Sequence, residues 1–430
     1  MKRSIIILIA ALATASMLAA CGGGGGSSPQ ASDKQAAKGP ITIWYSNNPD
    51  EVKWGKQVVA TWNADHPDEK VTGQEIPAGR TSEEVIGAAI TAGNTPDLIY
   101  NTAAAAVPQF QKQGGLVDLS TFPDGATYIE SRTGDAASQY ASVDGHYYQL
   151  PWKSNPVMLF YNKAIMRKAG IDPENPPLAT YDEFLATARA IVKSKAAKYA
   201  IYPSPSSEFY QSWFDFYALY AAESGGKQLV EDGAATFADT AGTSVAELWR
   251  TIYAEKLAGN EPYTGDAFLD GLTGMVLAGP WAIESYGKTD WGVAPVPTSA
   301  GMKPAETYTF ADSKNIGMYS SSKNQGTAWE FLKFSTSPEQ DGALLETTGQ
   351  MPLRVDLTKA YPEYFTKNPA YKMFAEQAGR TVDVPNVSSS VEVWQTFRDA
   401  WTGAVIFGEG DIPSALSDAA ASIDTLVSQQ

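Results

Sequence analysis

Ile41-Thr42-Ile43-Trp44-Tyr45-Ser46-Asn47-Asn48-Pro49 decides how this chain folds, because it joins a strand directly to the start of a helix. The β-branched and aromatic residues at 41–46 predict the strand. Asn47-Asn48-Pro49 turns the chain, and Pro49 suits the first helical position, where a missing N–H costs nothing. Val52, Val59 and Trp62 then recur on one face of that helix. Thr81-Ser82-Glu83-Glu84 reads as a capping box opening a second helix, which Gly93 closes. Asp97-Leu98-Ile99-Tyr100 is a short buried strand, followed by a helix ending at Gly114-Gly115. This β-α-α-β-α order predicts an α/β domain with helices on both faces of a sheet.

Further along, Tyr147–Pro151 and Val157–Tyr161 read as strands. Thr180-Tyr181-Asp182-Glu183 is another capping box, with Phe184, Leu185, Ala188, Ile191 and Val192 on one face of its helix. Met275–Ala278 and Trp291–Val296 look like strands, and helices are expected at about 326–334 and from Ser337-Pro338-Glu339 onward. No fixed-period repeat is visible.

The N-terminus carries a different message. Met1-Lys2-Arg3, an uncharged run from Ser4 to Ala20, and Leu18-Ala19-Ala20-Cys21 make a secretory signal over 1–20. A spanning helix needs about 20 apolar residues, so the run is short for one. Leu-Ala-Ala-Cys resembles the bacterial lipobox, which implies lipidation at Cys21; a short buried helix with an ordinary cysteine is the bland alternative. Glycines 22–26 and the polar residues that follow cannot bury a core, so 21–39 reads as a flexible tether.

Hydrophobic residues are 43% of the chain, enough for a soluble globule with a real core. Losing Lys2 and Arg3 with the leader takes the net charge from −16 to −18, a balance that argues against nucleic acid. His66 and His146, the two histidines, lack metal-ligand spacing, so neither a metal site nor a histidine triad is expected. Cys21 leaves no partner for a disulfide. No P-loop, G-x-G-x-x-G, G-x-S-x-G or H-E-x-x-H motif is present, so no cofactor is expected. The positive signal is aromatic: 11 Trp, 21 Tyr and 16 Phe, with Trp152, Trp213, Trp281 and Trp394 beside Gly, Pro or polar residues. A flat ring with a polar edge suits the C–H face of a sugar.

Several segments then resemble one family in the right order. Ala92-Gly93-Asn94-Thr95-Pro96-Asp97, Gly114-Gly115-Leu116-Val117-Asp118-Leu119 and Asp144-Gly145-His146-Tyr147-Tyr148-Gln149-Leu150-Pro151 come first. Tyr161-Asn162-Lys163, Ala169-Gly170, Thr180–Phe184, Gly279-Pro280-Trp281-Ala282, Gly292–Pro297, Ala328–Lys333 and Gly349-Gln350-Met351-Pro352 complete the series. Together they resemble the extracellular solute-binding proteins of carbohydrate ABC importers, the maltose-binding-protein superfamily. The resemblance covers about 41–430. It implies an α/β, two-lobed periplasmic-binding-protein-like fold of type II, its discontinuous lobes joined by crossover strands around an interlobe cleft. The lobes are expected at 40–150 plus 300–345 and at 151–299 plus 346–430.

The resemblance also implies which residues face the ligand. Asn47 and Asn48 lie in the loop after the first strand, where a turn and helix cap is an equal reading. Arg80 precedes a helix N-terminus, where it either reaches sugar hydroxyls or is simply solvated, and Asn101 follows Pro96-Asp97. Trp152 and Asn155 follow the first crossover; relatives carry an acid at the Asn155 position. Glu208 and Tyr210, with Trp213 as a further candidate, supply an acceptor and a platform from the second lobe. Trp281 is the foremost stacking platform, with hinge packing as the alternative reading, and Trp394 is another platform. Arg354 either bonds the ligand or locks the hinge. Phe310-Ala311-Asp312 stands where many relatives have a Gly-Gly loop, which makes Asp312 a specificity candidate.

The function expected is capture of a di- or oligosaccharide by a monomeric lipoprotein outside the cytoplasmic membrane, for delivery to an ABC permease, with no bond chemistry. Two alternatives stand beside it. One is the same fold binding a glycerophosphodiester or other polyol-type solute; the other is a secreted carbohydrate-active enzyme using two carboxylates.

Overall fold

The computed structural model describes residues 31–429 apart from 47, 79–81, 203–212, 262 and 288. In chain order its strands are β1 (Ile41–Tyr45), β2 (Val71–Glu75), β3 (Leu98–Ala103), β4 (Leu150–Lys153), β5 (Met158–Asn162) and β6 (Tyr199–Ile201). They continue with β7 (Val230–Glu231), β8 (Ala234–Ala235), β9 (Thr273–Ala278), β10 (Trp291–Ala294), β11 (Thr309–Phe310), β12 (Lys314–Met318) and β13 (Thr381–Val382).

The first sheet runs β2-β1-β3-β12-β4, with β1 parallel to both neighbours and β12 antiparallel to β3 and β4. Its core gathers Ile41, Ile43, Val58, Trp62, Leu98, Leu150, Ile316 and Phe331. The second sheet runs β10-β5-β9-β6, over a separate core that includes Leu159, Phe184, Ile191, Trp249 and Met275. The fold is therefore two-lobed. The C-terminal helices Ser390–Trp401 and Ile412–Val427 complete the second core through Phe397, Leu416 and Ile423.

Local signals explain the helices. Asn48 caps the helix Pro49–Asp65, its side chain accepting from the N–H groups of Asp50 and Glu51. That helix buries Val52, Trp54, Val58 and Trp62, while Val59 is only partly covered. The capping box at Thr180 and Glu183 forms in both directions. The box expected from Thr81 has its first residue outside the described set, and the helix there spans Ser82–Ala92. The expected β-α-α-β-α order is corrected by β2, which enters between the first two helices. Only Val71 of that strand is buried, because it forms the sheet edge, so hydrophobic periodicity does not reveal it.

The lobes are joined where β4 leads into β5, where β10 returns through β11 to β12, and after the helix Pro338–Thr348. These passes are stitched to each other. Pro156 bridges Ala311 and Lys153 bridges Pro352, while Ser154 donates to the Met351 carbonyl and Asp312 to that of Asn155. Among the described residues no helix is long and apolar enough to cross a membrane.

Candidate functional site

Open α/β sheets bind ligands beyond the carboxyl ends of their strands. Here the carboxyl end of β3 meets the crossover strand β12, where Ala103 pairs with Lys314, and Asn101, Asp312 and Asn155 lie on or beside these segments.

Asn101 sits within β3 with φ 61, a left-handed conformation that is uncommon outside glycine and that asparagine tolerates. Next to it the pairing of β12 with β3 shifts register between Asn315 and Gly317. Strained backbone of this kind concentrates at functional sites. Trp281 follows β9 and is half-buried between the two hydrophobic clusters of the second lobe. Its ring lies over Gly279: a Cβ built there meets Trp281 Cζ3 at 1.9 Å. Glycine thus lets the indole fold back onto the main chain. Asp312 is partly exposed and pairs with Lys314 Nζ at 2.9 Å.

Other candidates have partners of their own. Asn48 is exposed and its Oδ1 holds the helix cap at 3.0 and 3.1 Å, as the turn-and-cap reading expects. Asn155 is almost fully buried; its Oδ1 accepts from Met351 N–H at 3.3 Å, and its amide approaches Gln350 and the Asp312 carbonyl. It staples two crossovers. Arg354 donates to Asp341 Oδ2 and the Thr336 carbonyl, both at 2.8 Å, and Arg132 holds the same buried carboxylate. These bonds tie Arg354 to the helix Pro338–Thr348 and the turn before it.

Trp152 and Trp394 depart from the expected platforms, since both are fully buried. Trp152 packs between Trp54 and Tyr100, at ring separations of 5.2 and 5.3 Å, with Lys153 Nζ 4.6 Å from its ring. Trp394 packs on Tyr217 and Phe397 and shares a core with Ala104 and Ala105 from the end of β3. Those small side chains let the helix Ser390–Trp401 approach the first lobe. Asn47, Arg80, Glu208 and Tyr210 lie outside the described residues. Trp213 has a described backbone, in the turn of π-helix Trp213–Tyr217.

The sequence reading missed the charged groups. Glu51 and Lys153 form a buried ion pair at 2.5 Å, and Gln350 bonds both partners, at 2.8 and 2.7 Å. Burial opposes the charge on Glu51, but Lys153 and the hydrogen bonds outweigh it and hold the carboxyl below its ordinary range. Near Asp312 lies Asp383, 2% exposed, whose Oδ2 makes no well-aligned hydrogen bond. Burial pushes its carboxyl up to about 6, against the pull of the Val384 N–H, Ser313, Tyr140 and Lys314. A separate cavity of about 470 Å³ is lined by Gln111, Lys112, Asp144, Asn386 and neighbours, and contains none of the expected ligand residues.

With this geometry in view, comparison with known proteins assigns the class. Residues 45–342 match the family described as bacterial extracellular solute-binding protein, and the chain belongs to it. It is 27% identical to the diacetylchitobiose-binding protein DasA of Streptomyces coelicolor, over 65% of each chain. It is 25% identical to the maltodextrin-binding protein MdxE of Bacillus subtilis, over 70% of this chain and 71% of that one. The chain thus spans a little under two thirds of DasA's length. In fold it is similar to the cyclic α-maltosyl-1,6-maltose binding protein of Arthrobacter globiformis, with a TM-score of 0.78 at 21% identity over 91% of this chain and 100% of the other.

Proposed function

We propose that the protein captures a di- or oligosaccharide between its lobes and delivers it to the permease of an ABC importer, without chemistry on the ligand. The observation that carries this reading is Trp281, a half-buried indole seated on Gly279 at the mouth of β9. An aromatic face beside polar side chains is what a sugar's C–H face and hydroxyls require. Relatives named for binding diacetylchitobiose and maltodextrin support the same class of ligand. Asn47, Asn48, Arg80, Asn101, Glu208, Tyr210, Trp213 and Asp312 complete the proposed contacts.

The lobes are taken as 40–150 plus 300–345 and 151–299 plus 346–430. A ligand that touches both only when they close shifts the open–closed equilibrium by its differential affinity. The permease then recognises the closed monomer. Lipid on Cys21, after removal of 1–20, holds the protein at the outer face of the cytoplasmic membrane, and the 21–39 tether raises its effective concentration there. A thermal-shift screen tests the ligand class. The right sugar at 100-fold over its Kd stabilises the fold by about 2.7 kcal/mol. A response to another solute class, with none to any sugar, overturns it.

A further inference from the structure

Lys314 begins β12 at the carboxyl end of β3, its Cα paired with Ala103 on one side and Lys153 on the other. Its neighbours Asp312 and Ser313 belong to the crossover that Asn155 stitches, so it lies beside the passes between the two lobes. The side chain is 26% exposed, and Asp312, 21% exposed, takes one donor at 2.9 Å. An ammonium has three donors, so two remain for other acceptors.

Carboxylates surround this one cation. Burial opposes its charge, yet Asp312, Glu83 and Asp383 outweigh burial and raise its proton affinity. They come from three elements: the crossover, the first turn of the helix Ser82–Ala92, and the segment after β13. Asp383 is held in place by Val384 N–H on Oδ1, by Gln139 on its own N–H, and by Tyr217 on its carbonyl. Ser313 and Tyr140, hydrogen-bonded to each other at 2.9 Å, adjoin it. Its buried Oδ2 makes no well-aligned hydrogen bond, although the Ser313 and Tyr140 hydroxyls lie close enough to favour its charge. A buried carboxylate oxygen so placed gains from a further donor.

We propose that Lys314, Asp312 and Asp383 form the selectivity floor of the cleft, which accepts an uncharged sugar through its hydroxyls and rejects solutes carrying phosphate or carboxylate. The argument is one of charge and valence. A hydroxyl both accepts and donates, so it can take an N–H from Lys314 and give its proton to a carboxylate. An anionic group can only accept. It gains Lys314 but meets three carboxylates, in a partly desolvated site where like charges cost most. This inference rests on the carbohydrate reading above and names the ligand's charge class.

Isothermal titration of the full chain tests it. The probes are maltotriose and diacetylchitobiose as neutral sugars, maltose 6′-phosphate and a digalacturonate as anionic ones, and glycerol 3-phosphate. The expected result is that the best neutral sugar binds at least tenfold tighter than any anionic probe. Lys314→Met weakens the neutral sugar at least tenfold, and Asp312→Asn narrows the discrimination against anions. The wild-type comparison needs no variant, so it decides even if one fails to fold. Equal or tighter binding of an anionic sugar overturns the inference and leaves the carbohydrate reading intact. Binding of glycerol 3-phosphate alone overturns both, and no binding by any probe overturns the carbohydrate reading on which the inference rests.

Discussion

Replacing Lys153 by Met removes the cation from a buried ion pair. Lys153 and Glu51 are fully and almost fully buried, 2.5 Å apart, and Gln350 bonds both. Methionine keeps most of the volume, so packing on Trp152 changes little and the electrostatic loss dominates. Removing one partner of a buried pair costs about 3–5 kcal/mol, because the other charge is left without its counterion. Gln350 still reaches Glu51 at 2.8 Å, which sets the expectation at the lower half of that range. Unfolding entropy is about 2.1 cal/mol/K per residue, or roughly 0.8 kcal/mol/K for the folded part, so the melting temperature falls by about 4–5 °C. The loss depends on pH. In the native protein Glu51 is held below its ordinary value, so its contribution is present at neutral pH and fades in acid. Without Lys153, burial drives its carboxyl up, and the variant recovers toward the wild type as pH falls and Glu51 takes a proton. The double variant Glu51→Gln/Lys153→Met returns to within about 1 kcal/mol of the native protein. Urea unfolding at pH 5 and pH 8 checks this; a loss under 1 kcal/mol, or one independent of pH, refutes the reasoning.

Gly279→Ala places a Cβ 1.9 Å from the Trp281 ring, so the indole must swing away; sugar affinity falls about tenfold, roughly 1.4 kcal/mol, while calorimetry finds the fold retained. Unchanged affinity contradicts the seat assigned to Trp281. Asp383 has its proton affinity raised to about 6, so its stabilising neutral form is lost as pH rises through that value. Asp383→Asn therefore gains up to about 3 kcal/mol at pH 8, and the gain vanishes below pH 4; a gain that does not vary with pH is the contrary result. Cys21→Ser moves the protein from the membrane fraction to the soluble one and slows sugar uptake, with ligand affinity unchanged, as fractionation and titration will read; retention on membranes counts against lipid anchoring.

Local chemistry made the helices readable. Asn48-Pro49, Thr180 with Glu183, and Ser337-Pro338 each satisfy a helix start within four residues, and all three form. The edge strand β2 was hidden because its residues beyond Val71 are not buried. At the cleft, spacing gave the neighbourhood without the direction of each side chain. All four residues of β4 are buried, so alternation cannot tell whether Trp152 faces cleft or core. Trp394, Phe397 and Trp401 recur at helical spacing, which is the pattern of a core stripe, and they form one. Asn155 follows the crossover as the resemblance led one to expect, yet its hydrogen bonds run to other crossovers. Lys314, Glu51 and Asp383 carried no sequence signal, because a lone charge in a polar segment or a strand end acquires meaning only when the fold assembles its counter-charges.

The central claim is that a sugar is held in the cleft against Trp281. Isothermal titration of the wild type and of Trp281→Ala with neutral di- and oligosaccharides tests it most directly. The account predicts that at least one sugar binds with micromolar or tighter Kd, and that removing the indole weakens it at least tenfold. A protein that binds none of them, or binds one equally well without Trp281, contradicts it.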